Sequence, residues 1–253
     1  MDDLSLWIYI AMFGVAFVAG FVDAIAGGGG LITIPMLMAV GLPPHAALAT
    51  NKFQALCGTA MASWHFARSG LLDFRSVIIP SLWVFVCSGL GSLAVLSISP
   101  EYLRAVIPFL LIAIFLYVLF SPKLGESDRD AKLKPFIFYF IFGAAIGFYD
   151  GFLGPGTGSF WIFALVAILG LEMKKAVVQT KVLNLALNVF SFIVFAFSGN
   201  ILWLLGITMA IAQIIGARLG AAMVVKKEVH FVKKVFLIAV FASICKLIYD
   251  LVK

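Results

Sequence analysis

The feature that most constrains the fold of this 253-residue chain is a series of long segments without a charged residue. These segments are residues 4–22, 76–100, 105–122, 200–217 and 235–245. Segments of about 20 apolar residues cross the hydrocarbon core of a bilayer as α-helices. Hydrophobic residues make up 63% of the chain and charged residues 12%, against about 45–50% and 25% in soluble domains. The sequence therefore predicts an all-α, polytopic transmembrane protein.

Charge and cysteine content exclude several other classes. The formal net charge of +6 would suggest a nucleic-acid partner in a soluble protein, but here we interpret the basic residues as charges that orient membrane segments. Residues 1–3 lack the basic start of a secretory signal, so the first apolar segment is expected to be retained. Cys57, Cys87 and Cys245 lie in apolar segments without metal-ligand spacing. We therefore expect packing roles for the cysteines, no metal site and no cofactor.

An internal repeat relates the two halves of the sequence. The tetrapeptide Gly-Phe-Val-Asp at 20–23 recurs as Gly-Phe-Tyr-Asp at 147–150, which is 127 positions later. Lys52 recurs as Lys181, which is 129 positions later. Self-similarity at a fixed spacing is the signature of a repeated structural unit.

The repeat divides the chain into three parts. Residues 1–122 are predicted to form a first transmembrane repeat, residues 123–134 a cytoplasmic linker, and residues 135–253 a second transmembrane repeat. Each repeat has five apolar elements, and the second element of each is so short, near 16 Å as a helix, that it crosses about half the bilayer. The predicted elements are residues 4–24, 31–41, 45–67, 76–97 and 102–120, then 136–152, 159–170, 174–198, 201–224 and 231–251.

The distribution of positive charge predicts the topology. If the first two elements of each half form a returning hairpin and the linker is cytoplasmic, most basic residues lie in cytoplasmic loops, as the positive-inside rule requires. Three full crossings per half remain, so the second repeat is predicted to be inverted and both termini to face outward. Inverted repeats with interrupted helices are typical of secondary transporters. The alternative, that duplication only enlarged a helical bundle, leaves the interrupted hairpins unexplained.

Two glycine-rich segments interrupt the predicted hairpins, at residues 27–30 and 154–158. Consecutive glycines and Pro155 do not continue a helix, and the first N–H groups of the short helix that follows have no intrahelical partner. Such a helix start favours anion binding, whereas the alternative is that the glycines only allow close helix packing. The candidate substrate-binding glycines are Gly27, Gly28, Gly29, Gly30, Gly154, Gly156 and Gly158.

Four charges are predicted to lie inside the membrane. A charge at the bilayer centre costs about 2.5–3.5 kcal/mol, so Lys52, Lys181, Asp23 and Asp150 require a partner, water or a ligand. The lysines are candidate anion ligands, with snorkelling to the interface as the alternative. The aspartates are candidate coupling acids, structural ion-pair partners or caps of the short helices. Candidate hydrogen-bonding ligands beside the lysines are Asn51, Gln54, Asn184 and Asn188.

The sequence resembles the TauE/SafE sulfite exporter family in several motifs. In the first half these are Gly-Phe-Val-Asp-Ala-Ile-Ala-Gly-Gly-Gly-Gly-Leu-Ile-Thr-Ile-Pro at 20–35 and Gly-Leu-Pro-Pro-His-Ala-Ala-Leu-Ala-Thr-Asn-Lys-Phe-Gln at 41–54. In the second half they are Gly-Phe-Tyr-Asp-Gly-Phe-Leu-Gly-Pro-Gly-Thr-Gly at 147–158, Gln-Thr-Lys at 179–181 and Gly-Ala-Arg-Leu-Gly at 216–220. The resemblance covers nearly the whole chain and implies export of sulfite or a small organosulfur anion across the bacterial inner membrane without an organic cofactor.

These features together predict a secondary transporter that exports a small anion, sulfite or an organosulfur or carboxylate anion, by alternating access around a midplane site. The expected partners are that anion and the lipid bilayer; no nucleic acid is expected, and a homodimer is left open. One alternative is a membrane scaffold subunit without transport activity. Another is an intramembrane hydrolase using Ser159 and His65, which lacks an oriented third group. The prediction is that the protein is not an enzyme.

Overall fold

The computed structural model describes residues 4–120 and 129–226, which form nine α-helices and contain no strand. This confirms the predicted all-α fold. The last predicted element, residues 231–251, lies outside the described residues together with Cys245, and the linker is described only from residue 129. The helices are α1 Leu6–Ala26, α2 Gly30–Ala39, α3 Pro44–Arg68, α4 Phe74–Leu96, α5 Pro100–Phe120, α6 Pro135–Phe152, α7 Thr157–Ala167, α8 Met173–Phe197 and α9 Trp203–Lys226.

Six of the described helices, α1, α4, α5, α6, α8 and α9, are long and apolar enough to cross a membrane. This confirms a polytopic membrane protein. Helices α2 and α7 have 10 and 11 residues, about 15–17 Å, as predicted for the short second elements. Helix α3 has 25 residues but carries more polar side chains than the six. The inverted orientation of the second half and the returning topology of the hairpins remain predictions.

Glycine and proline set the helix boundaries next to the hairpins. Helix α1 ends at Ala26 and is capped by Gly27, whose φ of 74° lies in the left-handed region that favours glycine. Helices α3 and α6 begin with Pro44 and Pro135, since proline is favoured in the first turn, where its missing N–H costs nothing. These boundaries leave each glycine segment as a short break between a long helix and a short one.

Most of the extensive helix contacts join a helix of the first half to a helix of the second half. Helix α1 packs on α9, and the matching helix of the second half, α6, packs on α4. Helix α3 packs on α9 as α8 packs on α4, and α3 and α8 pack on each other. The helices that carry the buried lysines, α3 and α8, therefore lie between the two halves.

Glycines allow the closest of these helix contacts. A Cβ on Gly216 or Gly220 of α9 would collide with the backbone of Phe17 or Phe21 in α1. A Cβ on Gly91 of α4, which precedes Gly220 by 129 positions, would collide with the backbone of α6. Small residues that let backbones approach are the usual device for helix packing in lipid. Residues that match in the repeat therefore make matching contacts.

The outer surface of the bundle is apolar. Large side chains such as Trp7, Phe136 and Phe197 are between 77% and 90% exposed. Such a surface suits contact with lipid chains and would be unfavourable in water. Arg218 lies on this exposed face of α9. Polar residues are instead concentrated inside, on α3 and α8.

Candidate functional site

Two ion pairs join the halves of the chain. Lys52 on α3 donates from Nζ to Oδ2 of Asp150 at 2.6 Å and to the Asp150 carbonyl oxygen at 2.6 Å. Lys181 on α8 lies 3.0 Å from Oδ2 of Asp23 and also donates to the Asp23 carbonyl oxygen. Each lysine thus reaches the aspartate at the end of the other half's first helix. The second pair is therefore the counterpart of the first, with the roles of the two halves exchanged.

The lysines bond to carbonyl oxygens near the ends of α1 and α6. Carbonyl groups in the last turn of a helix carry partial negative charge, and the Asp23 carbonyl accepts from the Gly27 amide at 2.9 Å as well as from Lys181. Asp23 and Asp150 lie three and two residues before the ends of α1 and α6. An ammonium at this position satisfies a carboxylate and the helix end together, so the glycine break and the lysine are parts of one arrangement.

Burial makes the pairing necessary. The side chains of Lys52 and Lys181 are 2% and 0% exposed, and those of Asp150 and Asp23 are 7% and 16% exposed. Neither ammonium reaches the surface, which excludes snorkelling in this structure. A buried charge without a partner is strongly unfavourable, so each of the four groups depends on its neighbour. The predicted intramembrane charges are therefore neutralised in pairs.

The two glycine segments cross each other at Gly27 and Gly158. A Cβ on either glycine would collide with the backbone of the other. The amide of Ser159 donates to the Gly27 carbonyl at 3.0 Å, and Ser159 Oγ donates to the Ala26 carbonyl at 2.8 Å. Close packing is thus a real role of these two glycines. It brings the starts of α2 and α7 together at the junction of the halves.

The first hairpin is closed by Asp23. Oδ1 of Asp23 accepts a hydrogen bond from the amide of Gly29 at 3.1 Å, so Asp23 both caps the start of α2 and pairs with Lys181. The amides of Leu31 and Ile32 donate to the carbonyls of Gly28 and Gly29 at 3.0 Å. Part of the first turn of α2 is therefore already satisfied. The expectation of an open row of amides is too simple, because the tight turn and Asp23 use several of them.

The second hairpin is closed by other groups. Tyr149 donates from its hydroxyl to the Pro155 carbonyl at 2.5 Å, and Thr157 donates to the Gly154 carbonyl at 2.7 Å. A Cβ on Gly154 would lie 3.0 Å from Lys52 Nζ, so the absence of a side chain there leaves room for the ammonium.

Asn51 and Gln54 lie beside both hairpins. Oδ1 of Asn51 accepts from Thr33 Oγ1 at 2.6 Å and from Gln54 Nε2 at 3.0 Å. A Cβ on Gly30 would lie 3.7 Å from Asn51 Nδ2 and 3.4 Å from the Cα of Pro155. The amide group of Asn51 therefore faces the start of α2 and the second glycine segment. These contacts join Asn51, Gln54 and Gly30 to the junction.

Two predicted site residues, Gly156 and Asn188, make their contacts elsewhere, and Asn184 lies on α8 one helical turn after Lys181. Gly156 packs against Ile114 of α5, where a Cβ would collide with that side chain. Asn188 lies 3.5 Å from Thr59 Oγ1, which is seven residues, or about 10 Å of helix, beyond Lys52. Asn184 is buried, and its Oδ1 has no hydrogen-bond partner among the described residues. The junction thus holds most, not all, of the predicted set.

Sequence reasoning missed Thr33 and Tyr149, and it considered Ser159 only for the hydrolase alternative. Thr33 lies one turn after Gly30 in α2, so helical spacing could have placed its hydroxyl near the start of that helix. The contacts of Tyr149 and Ser159 cross the glycine breaks, and no helical period predicts them. Ser159 donates to a carbonyl, and within the described residues no histidine bonds to it, so the serine–histidine arrangement of a hydrolase is absent there.

The chemistry available at the junction is that of charge and hydrogen bonding. Two ammonium groups, two carboxylates and the carboxamides of α3 lie near the largely buried backbone of two glycine segments. No group of three or more potential metal ligands occurs among residues 4–120 and 129–226. Six long apolar helices and ion pairs buried at interrupted helices define a multi-pass membrane protein of the transporter class.

Comparison with known proteins identifies the family. The sequence model described as "Sulfite exporter TauE/SafE" matches residues 12–247. The chain therefore belongs to the TauE/SafE family and is a membrane transporter of that type.

Relatives over the full length carry matching descriptions. A "Probable membrane transporter protein" of Haemophilus influenzae is 44% identical over 98% of this chain and 97% of its own length. The "Probable membrane transporter protein ORF9" of Sinorhizobium sp is 39% identical over 99% of this chain and 96% of its own. The "Probable membrane transporter protein YfcA" of Escherichia coli K12 is 40% identical over 94% and 89%. No solved structure matches this chain significantly.

Proposed function

We propose that this protein is a secondary transporter that exports a small anion, sulfite or an organosulfur or carboxylate anion, across the bacterial inner membrane. The observation that carries the proposal is the pair of buried lysines, Lys52 and Lys181, each bonded to the hairpin of the other half. A carboxylate is itself an anionic oxygen ligand. Its presence on each ammonium supports the view that these positions accept anionic oxygens of a substrate.

The site that we propose is the junction of the two glycine segments. Lys52 and Lys181 supply positive charge, and the carboxamides of Asn51 and Gln54 supply oriented hydrogen bonds. Charge-assisted hydrogen bonds of this kind are about twice as strong as neutral ones. Glycine backbone at Gly30 and Gly154 permits a small ligand to approach without a side chain between them.

Gly27, Gly28, Gly29 and Gly158 form the frame of this site, since the crossing of the two segments sets the distance between the halves. Asn184, Asn188 and Gly156 are proposed to act from positions beside it. The unpartnered oxygen of Asn184 supports a role in a second conformation, because a buried acceptor without a donor is unfavourable as it stands.

Alternating access is supported by the reciprocal packing of the halves. If the second repeat is inverted, the two hairpins are equivalent structures that face opposite sides, and exchanging their conformations opens the site to the other side. A C-terminal reporter fusion tests this topology: the charge distribution predicts an external C-terminus, and a reporter active only in the cytoplasm would contradict the inversion.

The substrate is tested by binding and by flux. Purified protein is heated with sulfite, sulfate, thiosulfate, sulfoacetate or a simple carboxylate, and at least one anion is expected to raise the unfolding temperature. The same anions are then followed across sealed proteoliposomes. A protein that binds and moves none of them would be a scaffold subunit rather than an anion transporter.

The role of the lysines requires a control for folding. Lys52→Met and Lys181→Met are each expected to weaken anion binding roughly ten- to a hundredfold. Because either change leaves an aspartate unpaired, affinity is also measured in Lys52→Met/Asp150→Asn, which removes both charges of one pair. Lys132→Met, at an exposed residue before α6, is the matched control. Unchanged affinity in the folded double variant would exclude Lys52 as a ligand.

A further inference from the structure

The buried junction has no net charge to offer an incoming anion. Lys52, Lys181 and Asp150 are the buried charged residues in the described part of the chain, and the partly buried Asp23 pairs with Lys181. Two positive and two negative groups cancel. An anion that entered this junction unchanged would add an uncompensated negative charge to a buried region, and both ammonium groups are already bonded to carboxylates. Such a charge requires compensation.

The two ion pairs differ in how they could release a lysine. Asp23 also accepts from the Gly29 amide and is the more exposed of the two aspartates, so its negative charge keeps a donor when Lys181 moves. Lys52 is the one donor to the Asp150 carboxylate among the described residues. When Lys52 turns to a substrate anion, nothing bonded to Asp150 stabilises its charge.

We infer that Asp150 is a proton-binding site of the transport cycle, so that one proton crosses the membrane with each substrate anion. The inference rests on the proposed function and deepens it. The anion replaces the Asp150 carboxylate at the Lys52 ammonium, and the displaced carboxylate takes one proton from the aqueous side to which the site is open. Lys52 stays protonated throughout. On release the anion and the proton leave together, and the Lys52–Asp150 pair reforms.

The surroundings of Asp150 offer no competing acid. Helix α6 packs against α4, α7 and α8, and Lys52 of α3 reaches its Asp150. Helix α7 contains no titratable residue, α4 contributes Cys87 at this level, α3 contributes Lys52, and Tyr149 is adjacent on α6. Helix α8 carries Lys181, which is bonded to Asp23. A carboxyl at Asp150 is therefore the group suited to gain the proton.

The remaining acids of the described residues lie at or near helix ends or, for Asp130, in the non-helical segment before α6. These are Asp73, Glu101, Asp130 and Glu172. Asp73 caps α4, Glu101 is in the first turn of α5, and Glu172 precedes α8. Together with Asp23, Asp150 is thus one of two carboxyl groups placed in the interior. This restricts the assignment to two residues that single substitutions separate.

A spectroscopic test uses the intact wild-type protein. Infrared difference spectra are recorded with and without sulfite, sulfate and thiosulfate, none of which contains a carboxyl group. The anion that binds is expected to produce the C=O band of one protonated carboxylic acid and to remove a carboxylate band. Asp150→Asn should abolish the new band, whereas Asp23→Asn and the exposed Glu101→Gln should retain it. Binding by wild-type protein without a protonated-acid band overturns the inference even if Asp150→Asn does not fold.

Flux measurements test the coupling separately. In proteoliposomes with the membrane potential clamped at zero, one coupled proton should make the accumulation ratio of the transported anion rise about tenfold per unit of pH gradient. For sulfite, Asp150→Asn is compared with wild type, because protonation of sulfite itself is the same for both. An accumulation ratio that does not depend on the pH gradient would overturn proton coupling and leave the proposed function intact. Absence of both binding and flux for every anion of the panel overturns both proposals.

Discussion

The two lysine–aspartate pairs look alike in sequence but are supported differently in the structure. Asp23 bonds to Lys181 and to the Gly29 amide, and its side chain is 16% exposed. Asp150 depends on Lys52 and is 7% exposed, while Tyr149 closes its hairpin instead. The repeat thus produced one aspartate that is part of the fold and one whose charge serves a single contact.

The largest expected effect comes from removing one charge of a pair. Lys52→Met leaves Asp150 buried without a donor and should lower the free energy of unfolding by about 3–5 kcal/mol. Lys181→Met should cost less, since Asp23 keeps the Gly29 amide and some exposure. Unfolding of detergent-purified protein measures both, with Lys132→Met as the control. Equal losses for the two lysines would remove the difference between the pairs.

The glycines that match in the two hairpins offer a second comparison. Gly27 and Gly154 both have positive φ, so alanine strains either backbone. Gly27→Ala also collides with the backbone of Gly158 and should cost about 1–3 kcal/mol more from overpacking. Gly154→Ala instead places its Cβ 3.0 Å from both the Asp150 carbonyl oxygen and Lys52 Nζ, which is a milder contact, and should act mainly on anion affinity by displacing the ammonium.

Gly14 is the control for both alanine variants, because a Cβ there would have no neighbour within 4 Å. Gly14→Ala lies inside α1 and should leave stability unchanged or raise it by up to about 1 kcal/mol. Thermal unfolding and binding assays are run together on the three variants. If Gly154→Ala loses as much stability as Gly27→Ala with no change in affinity, the two glycines have one and the same role.

The contribution of Asp23 to capping α2 can be measured separately in a variant that lacks its ion-pair partner, Lys181. In a Lys181→Met background, Asp23→Ala removes the acceptor of the buried Gly29 amide and should cost about 1–2 kcal/mol. In a Lys52→Met background, Asp150→Ala removes an unpaired charge and should restore stability. In the same unfolding assay, Asp23→Ala is expected to lower the free energy of unfolding and Asp150→Ala to raise it. An increase for both variants would show that Asp23 does not stabilise the fold by capping.

The smallest expected effect concerns the group that holds the second hairpin. Tyr149→Phe removes the hydrogen bond to the Pro155 carbonyl and should cost about 0.5–1.5 kcal/mol. The Lys181–Asp23 pair should be unaffected, because it lies in the other hairpin. Proteolysis or hydrogen exchange of residues 149–157 is a local readout. Unchanged protection of that segment would mean that the glycine turn alone fixes its conformation.

The sequence predicted the elements well and their partners poorly. The hydrophobic periodicity and the glycine breaks located α2 and α7 to within three residues of their observed bounds, because helix ends are set locally. Capping by Asp23 was one of the alternatives for the same reason. The pairing of Lys52 with Asp150 and of Lys181 with Asp23 crosses between halves, and a repeat gives two equal possibilities without saying which lysine meets which aspartate. Contacts of Gly27 with Gly158 are likewise set by tertiary packing.

The glycine crossings of α1 on α9 and of α4 on α6 have a consequence for assembly. In each crossing one helix comes from the first half and the other from the second, so each half completes the other. Neither half retains the partner of its own first helix when alone, and cutting the chain between Phe120 and Pro135 removes none of these contacts. Two polypeptides made separately should therefore recognise each other in the membrane, as two proteins of an ancestral heterodimer would.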